Sequence, residues 1–105
     1  MNESEFNTLT DALLMCIEGG LEASDLDLDF ARVNAGVLEI EFSDGSKIIV
    51  NRHGVMQEMW IAARSGGYHF RWDGTGWHDT RSGDELLAAL STLVSDQAGV
   101  PFSLL

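Results

Sequence analysis

The sequence holds a single cysteine, a single proline and only six lysines and arginines. Cys16 cannot close an intramolecular disulfide, and without a C-x-x-C pair there is neither a zinc knuckle nor a redox couple, so stability must come from packing alone. One proline among 45% hydrophobic and 22% charged residues describes a globular chain, not a disordered tail or a collagen-like repeat. No apolar run approaches the ~18 residues of a membrane span. The first dozen residues carry acids but no Lys or Arg, unlike a secretory signal or a mitochondrial transit peptide. The chain therefore reads as soluble and cytoplasmic, and its 105 residues as one domain, 1–105. Enzyme signatures are missing as well: there is no G-x-S-x-G, no phosphate-binding glycine loop, no H-E-x-x-H and no Glu-x-x-His of ferritin-like di-iron centres. Catalysis is the weaker functional class.

What is abundant is acid. Seventeen Asp and Glu leave a net charge of −11 and a pI near 4.3. Nucleic acid and anionic membranes are poor partners for such a field, because their binders gain affinity by neutralising phosphates with Lys and Arg. The excess is segregated: residues 1–44 hold eleven acids against Arg32 alone, whereas residues 45–105 are nearly balanced. A surface concentrating one sign attracts cations or a basic protein.

Asn2 and Glu5 have capping-box spacing, and Phe6, Leu9, Leu13, Cys16, Ile17 and Gly20 recur at three and four, which predicts an amphipathic N-terminal helix. At 100° per residue, Asp11, Glu18, Glu22 and, if the helix lasts, Asp25 fall within about 60° of one another, with Glu3 near the same line. Cys16, on the flank of the apolar stripe, reads as a buried inert thiol. From Leu26 the period becomes two. Leu26, Leu28 and Phe30 alternate with Asp27 and Asp29, then Leu38, Ile40 and Phe42 with Glu39 and Glu41, as in half-buried strands with acidic outer faces. Asn34-Ala35-Gly36 and Asp44-Gly45 supply hairpin chemistry, the second expected as a type I′ turn. Further strands are expected over Lys47–Asn51, Val55–Ala62, Tyr68–Asp73 and Trp77–Thr80. Ser82 and Glu85 read as a second capping box, before a helix marked by Leu86, Leu87, Leu90, Leu93 and Val94 and ended by Gly99 and Pro101. Helix, six strands, helix is an α+β two-layer sandwich, with two terminal helices on one face of an antiparallel sheet of about six strands.

Several stretches in order carry a family resemblance: Gly45-Ser46-Lys47-Ile48-Ile49-Val50-Asn51-Arg52, then Trp60, Gly66-Gly67-Tyr68-His69-Phe70 and Arg81-Ser82-Gly83, with Met1-Asn2 and Ser4-Glu5-Phe6 at the start. The chain resembles the frataxin family, its bacterial members in particular, over essentially its whole length. It departs from the family pattern at His53, Val55 and Glu58, which stand where the family carries Gln, Pro and Gln. The resemblance implies a frataxin-like fold, weak binding of ferrous or ferric iron on an acidic ridge of the first helix and first strand edge, and a role in iron–sulfur cluster assembly with a cysteine desulfurase and a scaffold protein. It implies a regulator or iron donor. A ferroxidase or iron-storage oligomer, and an acidic interaction module without a metal role, are the alternative readings.

By their own chemistry Glu18, Glu22, Asp25, Asp27 and Asp29 are the leading metal candidates, with Glu3 and Asp11 beside them, because hard cations prefer carboxylate oxygen. The competing reading is a solvated helix face, weakened by the absence of interleaved Lys. Asp25-x-Asp27-x-Asp29 is no EF-hand: Phe30 and Gly36 occupy the positions that such a loop gives to Gly and Glu. Residues two apart on a strand lie roughly 6.6 Å from each other, too open for one closed cage, so several hydrated ions are expected, with other divalent cations able to substitute. His53, His69 and His78 each read as structural, lacking a neighbouring acid or second His on the same element. Trp60 fits either cross-strand packing or an exposed interaction anchor, and the resemblance favours the anchor. The partner surface is thus expected at Trp60, Asn51, Glu58 and His69, together with Glu22 and Asp25, on a monomer that iron could drive to oligomerise.

Overall fold

The computed structural model describes residues 1–105 and opens as the capping box requires. Asn2 Oδ1 accepts from Glu5 N–H at 2.8 Å, Glu5 Oε1 accepts from Asn2 N–H at 3.3 Å, and helix α1 runs Glu3–Ala23. Its buried side chains, Phe6, Thr10, Leu13, Leu14, Ile17 and Leu21, form one stripe at helical spacing. Six strands follow: β1 Leu28–Asn34, β2 Val37–Phe42, β3 Lys47–His53, β4 Glu58–Ala63, β5 Gly66–Trp72 and β6 Trp77–Asp79. They form a single antiparallel meander in sequence order. Helix α2, Leu86–Ala98, closes the layer. The expected two-layer sandwich is observed.

One face of the sheet is the core side. Leu38, Ile40, Ile48, Val50, Met59, Ile61, Phe70 and Trp77 point to it and bury against Phe6, Leu14, Ile17, Leu86, Leu90 and Val94 of the two helices. Polar bonds fix each helix on that face. Arg52 Nη1 donates to Thr10 Oγ1 and pairs with Asp11 Oδ1, both at 3.1 Å. The same side chain crosses Gly36 so closely that a Cβ there would lie 2.7 Å from Nε, which explains glycine in that hairpin. Buried Gln97 ties α2 to the sheet, its Nε2 donating to Ser46 Oγ and its Oε1 accepting from Arg64 N–H, both at 3.0 Å. The other face of the sheet has no helix over it.

Four local expectations are corrected. Asp44-Gly45 is not a type I′ turn, because only Gly45 has positive φ (85°); its N–H bonds to the Phe42 carbonyl, and Asp44 Oδ1 accepts from Ser46 N–H instead. Strand β4 begins at Glu58 rather than Val55, because Gln57 takes a left-handed φ of 52° and Val55 and Met56 stay in an exposed turn. Glu85, not Ser82, caps α2: its carboxylate accepts from Leu87 and Ala88 N–H at 2.9 and 3.0 Å, while Ser82 Oγ accepts from Asp84 N–H within the preceding turn. Cys16 is exposed. The stripe that the sheet covers centres on Phe6, Ile17 and Leu21, which leaves a residue on its flank in solvent.

Candidate acidic corner and tryptophan platform

Helix α1 stops at Ala23 because Ser24 turns extended; its N–H and its Oγ donate to the Leu21 carbonyl, at 3.2 and 2.7 Å. Asp25 and Asp27 then lie in the connecting segment and Asp29 on β1, its neighbour across the ladder being Glu41. Glu22, Asp25, Asp27, Asp29 and Glu41 are all exposed. No basic residue occupies the last helical turn. The negative end of the helix dipole and these carboxylates therefore reinforce one another, a field that is relieved by a cation.

The remaining acids of the expected ridge are placed differently. Glu18 is held by Arg32, Oε1 to Nη2 at 2.9 Å, and Asp11 by Arg52. Glu3 is in the first turn of α1, at the dipole's positive end and about 28 Å of helix axis from Glu22 at a rise of 1.5 Å per residue. The structure thus leaves Glu22, Asp25, Asp27 and Asp29 unpaired where α1 hands over to β1, sets Glu41 beside Asp29 through strand register, takes Asp11 and Glu18 into ion pairs and puts Glu3 at the far end of the helix. No three His, Cys, Asp or Glu side chains converge into a ready-made cage. An ion here would keep much of its water.

On the open sheet face, register sets Trp60 between Asn51 of β3 and His69 of β5. His53 stacks on one side of the indole (centroids 3.9 Å apart, planes at 16°) and His69 on the other (4.2 Å, 9°). Beneath them Glu58 is only 3% exposed. Its Oε1 accepts from Trp60 Nε1 at 2.8 Å and its Oε2 from Arg71 Nη2 at 2.6 Å, with His69 Nδ1 3.9 Å from Oε1. Burial pushes the Glu58 carboxyl up, but the bonds from Trp60 and Arg71 and the charges of Arg71 and His69 outweigh it, leaving the group below its ordinary range. Glu58 was expected as a contact residue; it acts instead from underneath, fixing the indole and the guanidinium that do face outward. The sequence signal for this was the replacement of a family Gln by Glu, which strand register turns into a clamp. The three-ring stack had no signal at all, since its members come from three strands.

Because the folded Glu58 titrates below its usual value near 4.5, its contribution is present above that pH and is lost as pH falls through the folded value. Glu58→Gln should lower the stability measured in urea by on the order of 1–2 kcal/mol at pH 7, and the difference from the parent should shrink by pH 3. A gap independent of pH would show that the carboxylate charge is not what holds the clamp.

A family model described as a frataxin-like domain matches residues 1–100. A protein of Dechloromonas aromatica named iron-sulfur cluster assembly protein CyaY is 60% identical over 99 residues, covering 94% of each chain. One of the same name from Cupriavidus pinatubonensis is 52% identical over 93% of this chain and 91% of its own. Among solved structures, frataxin from Psychromonas ingrahamii superposes with a TM-score of 0.93 at 35% identity, covering 100% of this chain and 99% of its own. A trimeric frataxin from Saccharomyces cerevisiae, complexed with ferrous, shares the fold with a TM-score of 0.68 at 24% identity, over 94% and 88% of the two chains.

Proposed function

The chain belongs to the frataxin family, and from that premise we propose that it is an iron-binding protein of iron–sulfur cluster assembly that modulates a cysteine desulfurase and scaffold complex. The observation that carries the reading is the corner formed by Glu22, Asp25, Asp27 and Asp29, four exposed carboxylates with no ion-pair partner, in a protein whose close relatives are named for cluster assembly. Hard oxygen donors suit ferrous and ferric iron, and their openness suits cargo that must be taken up and released. The desulfurase is read as the basic partner of this corner, and the Trp60 face as the surface for the assembled complex. An assembly assay with desulfurase, scaffold and Fe(II), with and without this protein, tests the proposal: a changed rate of cluster formation supports it, and an unchanged rate sinks it.

Iron storage or ferroxidase action is the second reading, favoured by the trimeric, ferrous-complexed state of the yeast protein. Oxygen consumption during Fe(II) addition, together with sizing of the product, separates the two. A binding role is preferred because relatives at 60% and 52% identity are named for iron–sulfur cluster assembly. The acidic corner also makes a prediction of its own. A cation that binds only the folded state stabilises it by about 2.7 kcal/mol per site at one hundred times its dissociation constant, so Fe(II) or Mn(II) should raise the melting temperature above that of a control matched in ionic strength. Coincident melting curves would rule the corner out as a cation site.

A further inference from the structure

Strand β5 spans Gly66–Trp72, but β6 pairs only with its second half, Phe70 with Asp79, Arg71 with His78 and Trp72 with Trp77. Thr80 adds one bond, from its N–H to the His69 carbonyl at 3.0 Å, and the chain then leaves the sheet in a turn closed by Asp79 N–H on the Asp84 carbonyl. The first half of β5 is therefore a sheet edge. Because the His69 carbonyl points into the lane of β6, the N–H and C=O of Gly67, two residues earlier, point into the continuation of that lane. The lane is a cleft of about 400 Å³, with Ala89, Thr92 and Leu93 of α2 along one wall and Arg81 and Ser82 at its end. Edges of natural sheets are usually protected by charge, proline or a covering element; Gly66-Gly67-Tyr68 carries neither charge nor proline.

A second, independent observation concerns Arg81. Five of the six basic side chains are in ion pairs, Arg32, Lys47, Arg52, Arg64 and Arg71. Arg81 borders this cleft without an ion pair. Asp79 and Asp84 also border it; Asp79 Oδ1 accepts from the backbone N–H groups of Arg81 and Ser82, and Asp84 has no ion pair, so any choice of an acidic side chain rests on Arg81 itself and not on the net charge of the cleft.

We propose that this cleft docks an extended protein segment as an added strand along Gly66–Tyr68, anchored on the outward N–H and C=O of Gly67, with an acidic side chain of that segment on Arg81. Backbone pairing supplies the affinity and the guanidinium the choice of side chain, the division of labour seen in strand-addition recognition. The site is separate from the acidic corner and adjoins the Trp60 face, with which it shares His69.

The test uses the full chain, labelled with nitrogen-15, and acetylated, amidated hexapeptides in which valine alternates with aspartate, asparagine or lysine, in about 0.15 M salt. The aspartate peptide should shift the amides of Gly66–His69, Arg81, Ser82 and Ala89–Leu93 and bind about tenfold more tightly than the lysine peptide, although the net charge of −11 favours lysine. Arg81→Gln should erase that preference. Gly67→Pro, which removes an outward N–H at an edge that tolerates proline, should abolish binding of every peptide while the remaining amide spectrum is kept. Tighter binding of the lysine peptide, shifts centred on Trp60, or no shift at Gly66–His69 at millimolar peptide would each overturn the proposal.

Discussion

Changing Glu22 and Asp25 together to lysine is expected to weaken binding to the proposed partner, a cysteine desulfurase, on the order of a hundredfold, mostly through slower association. Both side chains are exposed and free of intramolecular partners, at the negative end of α1. Their reversal exchanges attraction for repulsion where unpaired carboxylates and the helix dipole reinforce one another. Raising salt to about 0.5 M should slow association of the parent protein for the same reason, since the Debye length falls toward a few ångströms. Asp96→Lys, an equally exposed site on α2, is the control and should do little. Trp60→Ala should act on the other rate. It empties the space between His53 and His69 and should speed dissociation, a truncated aromatic anchor typically costing more than ~1–2 kcal/mol. Biolayer interferometry resolves both rates; equal losses for the Glu22/Asp25 and Asp96 variants would mean that bulk charge, not a localised corner, drives docking.

The largest effect on stability is expected from Phe70→Ala. Phe70 is 0% exposed, paired with Met59 and Asp79 in the sheet and enclosed in the core beneath the helices. Removing a buried phenyl ring costs about 3–5 kcal/mol through lost transfer energy and the cavity left behind, a large part of the ~5–15 kcal/mol that holds a domain together. For a chain of this size the melting temperature should fall on the order of 20 °C. Val55→Ser, at a residue 92% exposed, should change stability by no more than about 0.5 kcal/mol. A loss below 5 °C for Phe70→Ala in thermal melts followed by circular dichroism would place the protein's stability outside this core.

How much of this was legible beforehand follows from which interactions are local. Capping spacing at Asn2 and Glu5, the stripe from Phe6 to Leu21 and the alternation of Leu38, Ile40 and Phe42 are near-neighbour patterns, so both helices, the meander and the acidic bias of residues 1–44 could be read from the chain alone. The motifs from Gly45 to Gly83 carried the family resemblance for the same reason. Which acids remain free was decided only by folding. Asp11 is neutralised by Arg52, 41 residues away, and Glu18 by Arg32, 14 away, because the sheet brings those guanidinium groups against α1. Strand register set Asp29 beside Glu41, buried the Glu58 carboxylate under Arg71 and closed two imidazoles on Trp60. Periodicity tells which face of an element a residue occupies, but a charge pair or a ring stack depends on distances between elements, and only the packed sheet and helices determine those.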